Sequence, residues 1–207
     1  LSYIGLLTLA AFFYGGGNYV NKQAPYYNFF QNFISDLGRT TSHSGDDNTI
    51  SFVLFSIGMF IQLFAVLIYL VKSANSFKND KPLISLLAKL SAVFGSISLL
   101  GVIFTPADVP ELYSLHIFFA NSVFNGAFIT LSIYGYLFYY KGLKNITYTL
   151  FFCSLIILGY ILFLEIGPSP KDSINALTMH ATFQKISVLS LVGTIWVMSK
   201  GTDLLEN

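Results

Sequence analysis

The chain is short of charge. Lys, Arg, Asp and Glu make up 10 % of its 207 residues, against about 25 % in an ordinary soluble domain. So few charges cannot cover a water-facing surface, which excludes a soluble globular domain. The charges present nearly cancel, 11 basic against 10 acidic, so there is no basic field for a nucleic acid to follow. Cysteine is nearly missing. Cys153 alone allows no internal disulfide and no cysteine-based zinc site. What is plentiful is apolar: 54 % hydrophobic and 17 % aromatic residues, with a mean hydropathy of +0.66. That rules out intrinsic disorder and leaves a polytopic membrane protein.

A membrane-crossing helix needs about 20 mostly apolar residues. Six stretches qualify, at 1–19, 50–71, 83–104, 112–140, 146–166 and 176–198. The alternating ten-residue segments of an outer-membrane barrel are absent. The predicted fold is therefore all-α, a single bundle of six transmembrane helices over 1–207. The first stretch carries no small-residue cleavage signal and reads as a span rather than a signal peptide. Basic residues set the orientation. Lys72, Lys78, Lys81, Lys89, Lys141, Lys144 and Lys200 fall on one side, and Lys22, Arg39 and Lys171 on the other. The lysine-rich side is predicted to be cytoplasmic, with both termini inside and the protein in the cell membrane.

The first outer loop, 21–49, is the long one, and long structured loops are more often functional than short ones. Tyr26, Phe29, Phe30, Phe33 and Leu37 share one face at helical spacing, with polar residues opposite. This pattern predicts an amphipathic interfacial helix, stopped by Gly38. The helix would either anchor the loop or lid an outward pocket with Ser35 and Asp36 turned into it. The stretch 42–47 reads as polar and flexible. Gly15-Gly16-Gly17 has no phosphate-loop continuation and reads as a bend or a close packing point. Pro106 and Pro110 predict a stiff turn between spans three and four.

Ionisable groups inside a membrane are costly and mark functional candidates. Asp36, Asp108, His116, Glu165 and His180 all fall toward the outer side, with Arg39 in the loop. On the last span His180, Gln184 and Ser187 share a face. Lys185 lies about 140° from His180 and about 13 Å below the outer end of the span. Asn121 and Asn125 are predicted to bond a neighbouring helix. Asp36, His116, His180 and Asp108 are the candidate catalytic groups, as an acid–base set or, with two imidazoles and a carboxylate, as a Zn²⁺ site. Ser35, Arg39, Gln184, Lys185 and Glu165 are the candidate substrate-binding groups. No local His-x-x-x-His spacing enforces zinc, so the cofactor stays open.

These motifs carry a resemblance. Asn32-Phe33-Ile34-Ser35-Asp36-Leu37-Gly38 resembles the Ile-Ser-Asp-Leu-Gly motif of a six-span prokaryotic family known as domain of unknown function nine-nine-eight. Thr105-Pro106-x-Asp108 followed by His116 resembles its second motif. Phe183-Gln184-Lys185-Ile186 resembles its third, with lysine where the family has arginine. The family is similar in layout to the DRAM-like and Sfk-like group, which is linked to lipid remodelling, autophagy and phosphoinositide control. The resemblance implies a six-helix bundle with a polar site at Asp36, Asp108, His116 and Gln184–Lys185. It also implies that Lys185 pairs with Asp36, Asp108 or Glu165, to pin the loop or to hold a headgroup phosphate. A more distant likeness is to seven-span zinc hydrolases of the ceramidase and adiponectin-receptor type, but the His-x-x-x-His pair and the seventh span are missing.

The expected function is binding or modification of a lipid headgroup at the extracytoplasmic face, with membrane lipids as partners. If the protein is an enzyme, it is a lipid-directed hydrolase or transferase. The alternatives are an accessory subunit of a larger membrane complex and a small transporter or channel. Transport needs polar groups through the full depth, and here polarity gathers at one face.

Overall fold

Apolar runs in hydrocarbon must satisfy their own backbone groups, and a helix does so within one segment. The computed structural model describes residues 2–206. The helices are α1 Ser2–Phe12, α2 Thr49–Asn75, α3 Pro82–Phe104, α4 Pro110–Tyr140, α5 Lys144–Ile166 and α6 Ile174–Glu206. A 3-10 turn, Ile34–Gly38, lies between α1 and α2. Among the described residues, α2 to α6 are each long and apolar enough to cross a membrane. Pro82 and Pro110 open α3 and α4, where a missing N–H costs nothing. Large apolar side chains cover the outside, among them Phe64, Ile68, Leu83, Phe152, Leu155 and Trp196. This is the layout of a multi-pass helical membrane protein.

The helix of the first predicted span ends early, at Phe12 rather than at residue 19. Its described part has 11 residues, about 16 Å of helix at 1.5 Å per residue. The chain leaves the helix after Phe12 because Gly15-Gly16-Gly17 turns it. Gly16 and Gly17 have φ of +97° and +76°, a region that side chains with a Cβ avoid.

Each helix packs against the next in sequence, from α1 to α6. Polar bonds lock several pairs. The fully buried Tyr134 donates its hydroxyl to the Leu70 carbonyl, joining α4 to α2. Thr130 donates to Ser91 at 3.1 Å, joining α4 to α3. One apolar cluster includes Phe77, Tyr134, Phe138, Leu150 and Met198. The other includes Tyr14, Leu37, Phe55, Met59 and Val102. The second cluster lies under residues 13–48, and we call that end the cap end. At the opposite, lysine end Lys141 pairs with Asp80 at 2.6 Å. There Thr202 of α6 meets Ser73 and Tyr69 of α2 at 3.1 and 3.2 Å.

Candidate functional site

The cap is folded through side-chain amides. Asn28 Oδ1 accepts from the Phe30 amide and Asn32 Oδ1 from the Asn28 amide, both at 2.9 Å. Asn32 Nδ2 donates to the Gly17 carbonyl at 2.9 Å. Such bonds divert backbone groups from a helical ladder, which corrects the predicted interfacial helix. Residues 26–33 form turns, and only Ile34–Gly38 coils as a 3-10 turn. Burial is inverted as well: Tyr26, Phe29 and Phe30 are exposed while Asn32 is fully buried. The stretch 42–47, predicted to be flexible, is a reverse turn closed by the bridge between Thr41 and Asp47 and by the Ser42 amide donating to Asp46 O at 3.0 Å. Gly17 lets that turn approach, since a Cβ there would stand 2.4 Å from the Ser44 nitrogen.

At the centre of the cap lies Asp36, buried with His43. Asp36 Oδ1 faces His43 Nε2 at 3.1 Å. Its Oδ2 accepts from the Phe33 amide at 2.9 Å and from Asn32 Nδ2 at 3.1 Å. Burial alone would raise this carboxyl, but the bonds from His43 and Asn32 and the charge of Arg39 hold it below the usual range. A carboxylate at Nε2 places the ring proton there and leaves Nδ1 as an acceptor. Lys22 Nζ sits at that acceptor, 3.1 Å away. The Tyr19 ring lies 4.5 Å from the imidazole, centroid to centroid. Lys22 is held below the ordinary lysine value by burial of its stem and by the charges of Arg39 and Lys171, against the pull of Asp36.

Asp108, His116, His180 and Arg39 lie toward the cap end and bond different partners. Asp108 ties the α3–α4 turn to the cap, accepting from the Thr40 amide at 2.9 Å, the Thr40 hydroxyl at 2.5 Å and the Thr41 amide at 2.8 Å. Burial raises its carboxyl, and these bonds outweigh burial and hold it low. His116 donates Nδ1–H to the Thr105 carbonyl at 2.6 Å. His180 donates Nε2–H to the Pro168 carbonyl at 2.7 Å, with its ring against Phe163. Arg39 donates to the Thr41 carbonyl at 3.1 Å. Glu165 is exposed near the end of α5. Asn125 bonds the Asn121 carbonyl of its own helix rather than a neighbour.

Gln184 and Lys185 do meet the cap. Gln184 Oε1 accepts from the Ile34 amide at 2.8 Å. Lys185 Nζ donates to the Asn32 carbonyl at 2.5 Å and lies 5.0 Å from the Phe29 ring centroid and 5.7 Å from that of Tyr27. The lysine thus pins the loop to α6 through a carbonyl and two aromatic faces. Asp36, Asp108, His116 and His180 each hydrogen-bond a different partner. Among the described residues, no three His, Cys, Asp or Glu side chains are grouped to hold a metal ion.

Beneath the cap lies a cavity of about 220 Å³. Ser35, Ile34 and Gln184 are at its cap end, and Met59, Gly95, Phe124, Ala127, Val188 and Met198 line its length. Its walls come from α2, α3, α4 and α6. It is apolar apart from a few hydroxyls and the amides of Gln62 and Gln184. Among the described residues α6 lies mainly against α5 and the 3-10 turn, and it meets α2 at Thr202.

Sequence reasoning missed His43, Lys22, Tyr19 and Asn32. Lys22 was visible only as a charge to be counted, and His43 as one letter in a polar stretch. The usable signal was the triple glycine, which marks a place where a second segment passes close. Fold and site together define a multi-pass helical membrane protein with a polar cap over an apolar cavity. No family model, curated protein or solved structure matches the chain.

Proposed function

We propose that this protein binds a membrane lipid, with an acyl chain in the cavity and the headgroup end under the cap. The observation that carries this reading is the cavity: apolar walls on four helices, with Ser35 and Gln184 at one end. A long apolar slot with a polar mouth suits one chain of a lipid, since each buried CH₂ contributes about 0.8 kcal/mol. The seam between α2 and α6 is the route of entry from the bilayer. Binding is favoured over catalysis because Asp36, Asp108, His116 and His180 are engaged separately. In this reading the protein sits in the cell membrane with the lysine end in the cytoplasm.

Gly95 supplies the test. It lines the cavity, and a Cβ there would meet nothing within 4 Å, so Gly95→Leu fills space without disturbing a helix. Native mass spectrometry of protein taken from membranes should find a retained lipid. Gly95→Leu should lower its occupancy about tenfold, the equivalent of about two displaced methylenes. Wild-type protein free of lipid, or equal retention by both, would remove the reading.

A further inference from the structure

The cap end holds Lys22, Arg39 and Lys171, and the fold draws them together. Lys22 and Lys171 lie 6.0 and 5.5 Å from the centroid of the same Tyr19 ring, and Lys171 lies 5.0 Å from that of Tyr113. Arg39 is within Coulombic reach of Lys22. Among the described residues, none of the three has a carboxylate at ion-pair distance. Of the acids at this end, Asp36 bonds His43, Asp108 bonds Thr40 and Thr41, Asp46 bonds Ser44, Asp47 bonds Thr49 and Asp172 bonds the Ser169 amide, while Glu111 and Glu165 are exposed at the helix ends.

Asp36 lies on the far side of the His43 imidazole from Lys22 and attracts it at a distance, so the ammonium is held through the ring rather than by a direct ion pair. Lys22 is tethered by a histidine that a buried carboxylate orients, with side chains 2 % and 3 % exposed. That bond uses one of three ammonium hydrogens and leaves two for a ligand. We propose that Lys22 and Lys171, set around Tyr19 and steadied by the Asp36–His43 pair, form a site for a phosphate group. A phosphate offers several acceptor oxygens to converging ammonium donors. The group arrives either on the headgroup of an outer-leaflet phospholipid or as soluble phosphate. The first source rests on the lipid reading above; the site itself uses other side chains than the cavity.

The test uses the full chain in phosphatidylcholine nanodiscs, with or without a minority of phosphatidylglycerol, and in detergent with inorganic phosphate. The variants are Lys22→Gln, Lys171→Gln and their double, with Lys144→Gln at the opposite end as control. Native mass spectrometry reads the lipids retained, and thermal unfolding reads phosphate. A wild-type preference for phosphatidylglycerol that falls about fivefold in each single variant and about thirtyfold in the double supports the site with a lipid source. That preference should survive Gly95→Leu, which separates the phosphate site from the cavity. A phosphate-dependent rise in unfolding temperature, lost in the double variant without any lipid preference, supports the site with a soluble source. Wild type and double variant alike in both assays, or a loss equalled by Lys144→Gln, would overturn the proposal.

Discussion

Asp36 shows how one buried side chain governs a loop. Its Oδ2 receives two donors and its Oδ1 faces the imidazole, so every bond needs an acceptor. Asp36→Asn turns one oxygen into a donor aimed at the Phe33 amide, Asn32 Nδ2 or His43. We expect this to cost about 2 kcal/mol, the range for a hydrogen bond to a charged group. Hydrogen exchange at the amides of residues 28–36 should quicken about thirtyfold, and unchanged protection would show that the carboxylate does not hold the cap. Acid should act in the same way. Asp36 and Asp108 are both held low in the folded protein. Their stabilisation is therefore complete above the unfolded value near 3.9 and is lost as pH falls through the lower folded values. Protection factors in the cap, taken against the intrinsic exchange rate at each pH, should stay flat from neutral to about pH 4 and fall below it.

At the scale of elements, the cap differs from the helices in what specifies it. The long helices fall on the expected apolar runs: α3, for instance, is Pro82–Phe104 where 83–104 was expected, while α6 runs past its expected end at 198 to Glu206. Length and apolarity are local properties, and hydrocarbon reads them directly. The apolar spacing of Tyr26, Phe29, Phe30 and Phe33 looked equally helical, but Asn28 and Asn32 capture the backbone groups a helix would need. The glycine crossing is the joint of this element. Gly17→Ala puts a Cβ against the Ser44 nitrogen at a positive φ. It should destabilise the cap by about 1–3 kcal/mol, visible as faster proteolysis within 20–47. A cap as resistant as wild type would mean that the crossing is not needed.

Across the whole molecule, α2 and α6 are clasped at both ends but not along their length. The lysine-end clasp is Thr202 with Ser73 and Tyr69, and the cap-end clasp is Gln184 and Lys185 on the loop. If the seam admits lipid, loosening a clasp should speed exchange. Thr202→Val removes two buried contacts worth about 1 kcal/mol each. Exchange of a chain-deuterated lipid should accelerate by roughly fivefold to thirtyfold. An unchanged rate would point to entry elsewhere.

Composition and apolar run length by themselves determined the all-helical membrane layout, the five long helices and the basic bias of one end, because each is a property of a continuous segment. The helix-face rule put His180, Gln184 and Ser187 on one face, and all three are buried. Only the tertiary structure decided that Asp36 meets His43 and not His116 or His180, that Lys185 reaches a carbonyl rather than an acid, and that a cavity remains under the cap. Those outcomes depend on the path of a non-helical chain turned by glycines and asparagines. No periodicity runs through such a path, so partners seven or 153 residues apart are chosen by where the folded backbone brings them.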